Sequence, residues 1–528
     1  MKTAEKGERF LVGVALFLVC YACFVNKILP LKRKKRDLVI DYMSKKVYND
    51  NNVFDYQRED DMELTKKKFS FRRNIDMTQG SIALNILRFA FPLLLGNLFQ
   101  QLYSMVDTWV IGQTGNDGAY AAVGSVGPVI NVLIGFFLGL SSGAGVIISQ
   151  YYGAKNEKRV NEVVHTAMAL TAILAVIFTV LGILITPHLL TLMLSTEEGV
   201  GEVYPHAKAY LAIYFAGVSG LMFYNIGAGI LRAIGDSFRP FIYLVVASIT
   251  NIILDLVFVF WFDMGASGVA LATVIAQGFS ALITIITLMR TSTCVRFSFR
   301  KLHIDTSILK KIFVVGIPAG VQMAITSFSN MFVTRYIGGA NGVQQTLLSG
   351  WTTYTKIDQF IFLPMQSISL AATTFVGQNL GGGDEKRAKK GTYTAYFMAT
   401  CVTVVLIVII MIFAPYLAAF FNDTPDVVDC ATLLLHYITP FYMFCCINQV
   451  FSASLRGAGR TGAPMIIMLV SFVAFRQIYL FLVSTFISNE LIVLAFGYPM
   501  GWGLCALLTL IYYKKVGYKS KQLVEKTA

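Results

Sequence analysis

Asp107 and Asp255 are carboxylates set inside long apolar runs, and Asn251 stands four residues before Asp255. An ionised carboxylate at membrane depth costs at least about 2.5–3.5 kcal/mol, so such groups usually face an interior cavity and serve a function. A spacing of four puts Asn251 and Asp255 on one helix face. Together they offer hard oxygens to a cation such as Na+, or a site for a proton. The alternative is that these carboxylates lie capped and wetted near the outer interface. Other chemistries lack their residues. No His/Asp/Ser constellation or metal-ligand cluster stands out, and the run Gly381-Gly-Gly383 lacks the Lys-Ser/Thr of a phosphate loop. The eight cysteines, Cys20, Cys23, Cys445 and Cys446 among them, have neither zinc spacing nor a disulfide pattern, and the five histidines are scattered. Neither an enzyme nor a cofactor is expected, Na+ or H+ entering only as a coupling ion.

The chain that positions these carboxylates is built for a membrane. Its 528 residues are 55% hydrophobic and 14% charged, with a mean hydropathy of +0.63. Twelve apolar spans lie near 86–111, 122–150, 162–186, 207–231, 240–262 and 266–289, then near 312–337, 347–377, 392–415, 431–455, 464–487 and 491–513. Loops after even-numbered spans carry Lys155, Lys158, Arg159, Arg232, Arg239, Arg290, Arg296, Arg300, Lys301, Lys386, Arg387, Lys389, Lys390, Arg456 and Arg460, and the tail adds Lys514 and Lys515. Loops after odd-numbered spans carry no Lys or Arg but do hold Asp117, Glu197, Glu198, Glu202, Asp423 and Asp426. The positive-inside rule therefore predicts a cytoplasmic middle linker and C-terminus. The net charge of +14 is loop charge facing lipid headgroups, and nucleic-acid binding is not expected.

The halves repeat. Phe91-Pro92 through Met105-Val-Asp107 returns as Ile317-Pro318 through Met331-Phe-Val333; Gln150-Tyr-Tyr-Gly153 returns as Gln378-Asn-Leu-Gly381; Leu231-Arg232-Ala-Ile-Gly235 returns as Leu455-Arg456-Gly-Ala-Gly459. The offset is about 225 residues, far beyond the ~20–50 of a solenoid repeat. Six spans per half give both halves one orientation, as in parallel-repeat transporters. The expected fold is an all-α integral membrane protein of twelve transmembrane helices in two six-helix lobes. Its parts are an N-terminal extension (1–83), an N-lobe (84–290), a linker (291–309), a C-lobe (310–515) and a tail (516–528). Within the extension, the apolar run from Phe10 to Leu29 and the cluster Lys32 to Arg36 read either as a signal anchor, an extra N-terminal helix, or as an upstream extension with the working start near Met62 or Met77.

The set Pro92…Gln100-Gln-Leu-Tyr103-Ser-Met-Val-Asp107-Thr, Gln150-x-x-Gly153-Ala, Leu231-Arg232-Ala-x-Gly235-Asp236-x-x-x-Pro240 and Asn251-x-x-x-Asp255 resembles the multidrug and toxic compound extrusion (MATE) family, its bacterial DinF-like branch above all. The resemblance covers about residues 80 to 515. It implies a cation-coupled antiporter of a bacterial cytoplasmic membrane, a monomer that exports small organic cations or drugs by alternating access. It also implies an N-lobe cation site of Asp107, Tyr103, Asn225, Asn251, Asp255 and Thr273, and a first helix that bends at Pro92. A flippase for lipid-linked oligosaccharides is the alternative within the same superfamily. It calls for several arginines facing the cleft, where only Arg335 and Arg476 are read inside spans. A membrane enzyme or a channel has still less behind it.

The second half departs from the first. Val333, Phe475 and Tyr479 stand where the first has Asp107, Asn251 and Asp255. The eighth span holds Lys356 and Asp358, and the eleventh holds Arg476. These read as a local Lys–Asp pair with snorkelling, or as shapers of a C-lobe cavity. Pro318 reads as a static kink or a hinge, and the Gly-Ala-Gly runs near 142–145 and 227–229 as close helix packing.

Overall fold

The computed structural model describes residues 75–193, 200–339, 345–488 and 490–518. The chain divides into two units, Met1–Arg72 and Arg73–Ala528. The apolar run at Phe10, the cluster at Lys32 and the start at Met62 lie outside the described residues, as does most of the tail.

The N-lobe comprises α1 Ile82–Gly112, α2 Asp117–Gly153, α3 Glu157–Met193, α4 Val200–Ala216, α5 Val218–Ala233, α6 Phe238–Leu256 and α7 Gly265–Arg290. The C-lobe comprises α8 Thr306–Gly339, α9 Gln345–Gly381, α10 Glu385–Phe421, α11 Pro425–Ile438, α12 Tyr442–Gly457, α13 Gly462–Met468, α14 Arg476–Phe486, α15 Leu491–Ala495 and α16 Gly497–Val516. The described residues contain no strand. Among the described residues eleven helical stretches are long and apolar enough to cross a membrane, and α4 with α5, bent by 47°, makes a twelfth. Gly217 marks that bend, where a Cβ would fall 2.0 Å from Val274 Cγ1 of α7. The protein is thus an all-helical integral membrane protein. Helices α1 and α8 run unbroken through Pro92 and Pro318. The lipid-facing surface is clearest on α3 and α10, which hold the same place in each half and expose Val176, Leu184, Phe397, Ile412 and Tyr416.

The repeated motif after α2 and α9 builds one local structure twice. Lys155 (φ 57°) and Gly383 (φ 82°) take the left-handed conformation that ends the helix. Asn156 Oδ1 then accepts from the Arg159 amide, and Asp384 Oδ1 from that of Arg387. Each cap starts the next helix, with Glu157 or Glu385 favourably placed in its first turn.

Small residues bring the lobes together. A Cβ on Gly139 would lie 2.1 Å from the Gly320 nitrogen, and one on Gly143 2.5 Å from Gly316 Cα, so α2 and α8 touch backbone to backbone. Gly227 and Gly229 pack as tightly, against Thr284 and Ser141. At the end carrying the basic loops the contact is reciprocal. A Cβ on Gly153 would sit 1.9 Å from the Gln378 carbonyl oxygen, and one on Gly381 1.9 Å from that of Gln150. Gln150 Nε2 donates to the Gly457 carbonyl at 2.9 Å, and Gln378 Nε2 to the Ala233 carbonyl at 2.8 Å. Each lobe's glutamine thus satisfies an orphan carbonyl at the end of the other lobe's helix. Nearer the acidic end of α2, a Cβ on Gly124 or Gly127 would meet nothing within 4 Å.

Residues 75–80 join this seal. The Ile75 amide donates to the Gly235 carbonyl, the Met77 amide to Gln378 Oε1, Asn379 Nδ2 to the Met77 carbonyl and Arg387 Nη2 to the Gly80 carbonyl. Gly235 holds φ 90°, and a Cβ there would lie 2.1 Å from the Ile75 oxygen. Residues 75–80, which the sequence reading places in the N-terminal extension, thus pack with the lobes. The physical reason is that a short polar segment reads as linker when its hydrogen-bond partners lie some 300 residues away. Deleting residues 1–61 is expected to leave transport intact, whereas deleting 1–80 removes these four hydrogen bonds, those from Asn85 Nδ2 to the Asp76 and Gln79 carbonyls, and the fully buried Met77 side chain. The longer truncation should lower the melting temperature by several degrees, on the scale of a buried core side chain, as a fluorescence-detected melt of both proteins would read.

Candidate cation pocket and interlobe cavity

Helices α1, α6 and α7 bring Asp107, Asn251, Asp255 and Thr273 together in the N-lobe. Asp107 is 8% exposed and Asp255 fully buried, and the two carboxyls are neighbours. Asn251 Nδ2 donates to Thr273 Oγ1 at 3.4 Å. Four buried oxygens have no donor among the described residues: Asp107 Oδ1, Asn251 Oδ1 and both oxygens of Asp255. Beside them lies a space of about 10 Å³ lined by Tyr103, Asn251, Thr273, Gln277 and Ser280, room for a single water-sized particle. Asp255 sits at the end of α6, where the helix widens into the π-helical turn Val257–Trp261, a feature that often marks functional sites.

Five of the six residues expected at this site therefore converge: Tyr103, Asp107, Asn251, Asp255 and Thr273. The sixth, Asn225, sits apart from the small space. Its amide donates to the Leu221 carbonyl at 2.9 Å, and its side chain lines a larger cavity. Three neighbours were missed. Gln277 and Ser280 follow Thr273 along α7 at spacings that share its face, a signal the sequence offered. Tyr210, buried close to Asp107, Asp255 and Tyr103, had none, because its span carries no polar motif that marks it.

The larger cavity, about 460 Å³, lies between the lobes and is lined by Pro92, Asn97, Gln100, Asn225, Gln322, Gln366 and Asn448 among others. Leu244 and Gln277 line both spaces, so the small space sits directly behind the cavity wall. Arg232 and Arg456 also line the cavity, and none of its lining residues among those described is a carboxylate. From sequence these arginines are loop residues; in the fold they occupy the last turns of α5 and α12.

The C-lobe trio lies away from the interlobe cavity. Lys356 is exposed, its Nζ 5.9 Å from the centre of the Phe421 ring. Asp358 accepts a hydrogen bond from the Tyr442 hydroxyl, which also meets the Tyr354 hydroxyl at 3.0 Å. Residues two apart point to different sides of a helix, so the expected Lys356–Asp358 pair does not form. Arg476 is 1% exposed. Its guanidinium lies 4.7 Å from the Phe472 ring and 4.4 Å from the Tyr498 ring, and Nη1 donates to Ser329 Oγ and Asn330 Oδ1. None of the three lines the interlobe cavity, and the Arg335 side chain lies outside the described residues. Arg476→Ala is expected to destabilise the C-lobe by about 3 kcal/mol, the sum of two stacked contacts and two hydrogen bonds. Arg476→Lys should restore little, since an ammonium cannot stack between two rings. Detergent-stability melts of the two variants check this.

Comparison with known proteins gives the arrangement its place. Residues 92–257 and 318–482, one stretch in each lobe, match the MatE family model. The chain is 29% identical over 450 residues to a probable multidrug resistance protein, YpnP, of Bacillus subtilis, covering 85% of this chain and 98% of that one. It is 23% identical over 392 residues to an FAD transporter of Shewanella oneidensis, covering 73% and 84%. A solved MOP superfamily transporter from Pyrococcus furiosus superposes with a TM-score of 0.79 at 22% identity, over 85% of this chain and 99% of that one, a likeness of fold. With a match in each half, spanning most of both lobes, this chain belongs to the MatE family of membrane transporters.

Proposed function

We propose that this protein exports small organic molecules, drugs and organic cations among them, in exchange for inward-moving Na+ or H+, by alternating access between its lobes. The observation that carries this reading is the set of four buried oxygens without donors at Asp107, Asn251 and Asp255. Burying an unpaired acceptor is costly, and a cation or proton relieves that cost. The relatives' description as multidrug resistance proteins supplies the substrate class.

The coupling follows from shared elements. Helix α1 carries Pro92 on the cavity lining and Asp107 at the ion pocket, so filling the pocket and bending at Pro92 act on one helix. Gln277 and Leu244 stand between the two spaces. An ion that binds one arrangement of this wall better, and a solute that binds the other, exclude each other through that difference in affinity. The basic-loop end is read as cytoplasmic by the charge rule, with the C-terminus on that side of a bacterial inner membrane and the monomer as the working unit. Sealed at that end, the protein is in its outward-open form.

The test is efflux of a fluorescent drug that carries both an amine and an acid, norfloxacin, from proteoliposomes carrying the full chain under separately imposed Na+ and pH gradients. Acceleration by one gradient identifies the coupling ion. Efflux indifferent to both would sink the exchange reading.

A further inference from the structure

The cavity between the lobes has the opposite polarity to the pocket behind it. In the pocket every unpartnered buried side-chain atom of Asp107, Asn251 and Asp255 is an acceptor. In the cavity lining, the unpartnered buried atoms include Arg456 Nε, Gln322 Nε2 and Ser369 Oγ. Two of these can only donate, and the hydroxyl can.

Arg232 and Arg456 are the same residue of the two repeats, so the duplication brings two guanidinium groups to one cavity. Arg456 Nη2 donates to Gln322 Oε1 at 2.8 Å, which occupies the amide oxygen and leaves its nitrogen to donate. Among the described residues neither arginine forms an ion pair. Their place at helix C-termini makes a positive charge favourable there, and it leaves Arg456 Nε without an acceptor. A planar guanidinium is matched best by carboxylate or phosphate oxygens. The volume of about 460 Å³ falls in the range of small-molecule sites.

We infer that this part of the cavity, around Arg232, Arg456, Gln322 and Ser369, is a subsite for an anionic group, and that the solutes bound best carry a carboxylate or phosphate beside their apolar body. A drug with both an amine and an acid stays within this class, whereas a purely cationic one meets like charge. The inference rests on the reading of this cavity as the transport site and narrows its substrate class.

The experiment compares matched ligands that differ by one anionic group, binding to the full chain in lipid nanodiscs. One pair is riboflavin and riboflavin 5′-phosphate; the other is norfloxacin methyl ester and norfloxacin. The acid member of each pair should bind wild type at least about tenfold tighter, the scale of one charge-assisted hydrogen bond. Arg232→Gln with Arg456→Gln should erase the preference, and Arg232→Lys with Arg456→Lys should keep part of it. The lysine pair also guards against misfolding: if both double variants fold alike by size exclusion and melting, the difference belongs to charge. If neither pair shows a preference, or the glutamine variant retains it, the inference falls. Arms for carboxylate and phosphate separate those two chemistries. Because the readout is equilibrium binding, a failure of gradient-driven efflux would strike the exchange reading and leave this comparison standing.

Discussion

Asp107→Asn and Asp255→Asn are each expected to lower gradient-driven efflux by about a hundredfold, the upper range of coupling free energies between linked sites, and to raise thermal stability at the same time. The two carboxyls lie side by side with three of their oxygens lacking donors. An asparagine amide at either position supplies an N–H to its neighbour and removes one buried charge, a gain on the order of 1 kcal/mol. A damaged scaffold would lose both properties together; a removed ion site separates them. Efflux assays and melts of the same preparations check it, the melts run with and without Na+ and at two pH values. Wild-type melting should respond to the coupling ion through mass action, and the variants should not. Wild-type efflux from both variants would show that these carboxyls do not couple.

The second large effect is expected at the seal. Valine at Gly153 or Gly381 puts carbon onto the facing Gln378 or Gln150 carbonyl, already 1.9 Å from where a Cβ would stand. Backbone cannot rotate away as a flexible side chain can, so the basic-loop end must open. Gly153→Val and Gly381→Val should each cut efflux more than tenfold, beyond the ordinary 1–3 kcal/mol of overpacking, by removing the sealed state from the cycle. Ser149 is buried beside Gly377 in this contact. A Ser149→Cys reporter should therefore resist an impermeant maleimide in the parent and react in either valine variant. Gly124→Val, where a Cβ meets nothing within 4 Å, is the control and should transport normally.

Twelve spans and two like-oriented lobes were legible in the sequence because the bilayer fixes helix length and because loop charge alternates without exception. Asp107, Asn251 and Asp255 were legible for the same reason: a carboxylate in an apolar run stands out. What was hidden depends on distance in the chain. Arg232 and Arg456 look like ordinary loop cations until α5 and α12 are seen to carry them into the cavity. Residues 75–80 look like linker until their partners at Gly235, Gln378 and Asn379 are seen. Lys356 and Asp358 look like a pair until the helix turns them apart.

The duplication also bears on what each half can trade. Ser329 stands in the second repeat where Tyr103 stands in the first, and Arg476 reaches it through the C-lobe core. The N-lobe sets the unpartnered oxygens of Asp107, Asn251 and Asp255 beside a small space, and on the exchange reading proposed above any positive charge taken up there would leave again. The C-lobe's positive charge is bound to its own backbone by covalent bonds and can never be discharged. The two repeats are thus a matched pair in shape but not in commerce with the surroundings: on that reading one half would hold a replaceable counter-charge, while the other carries a permanent one.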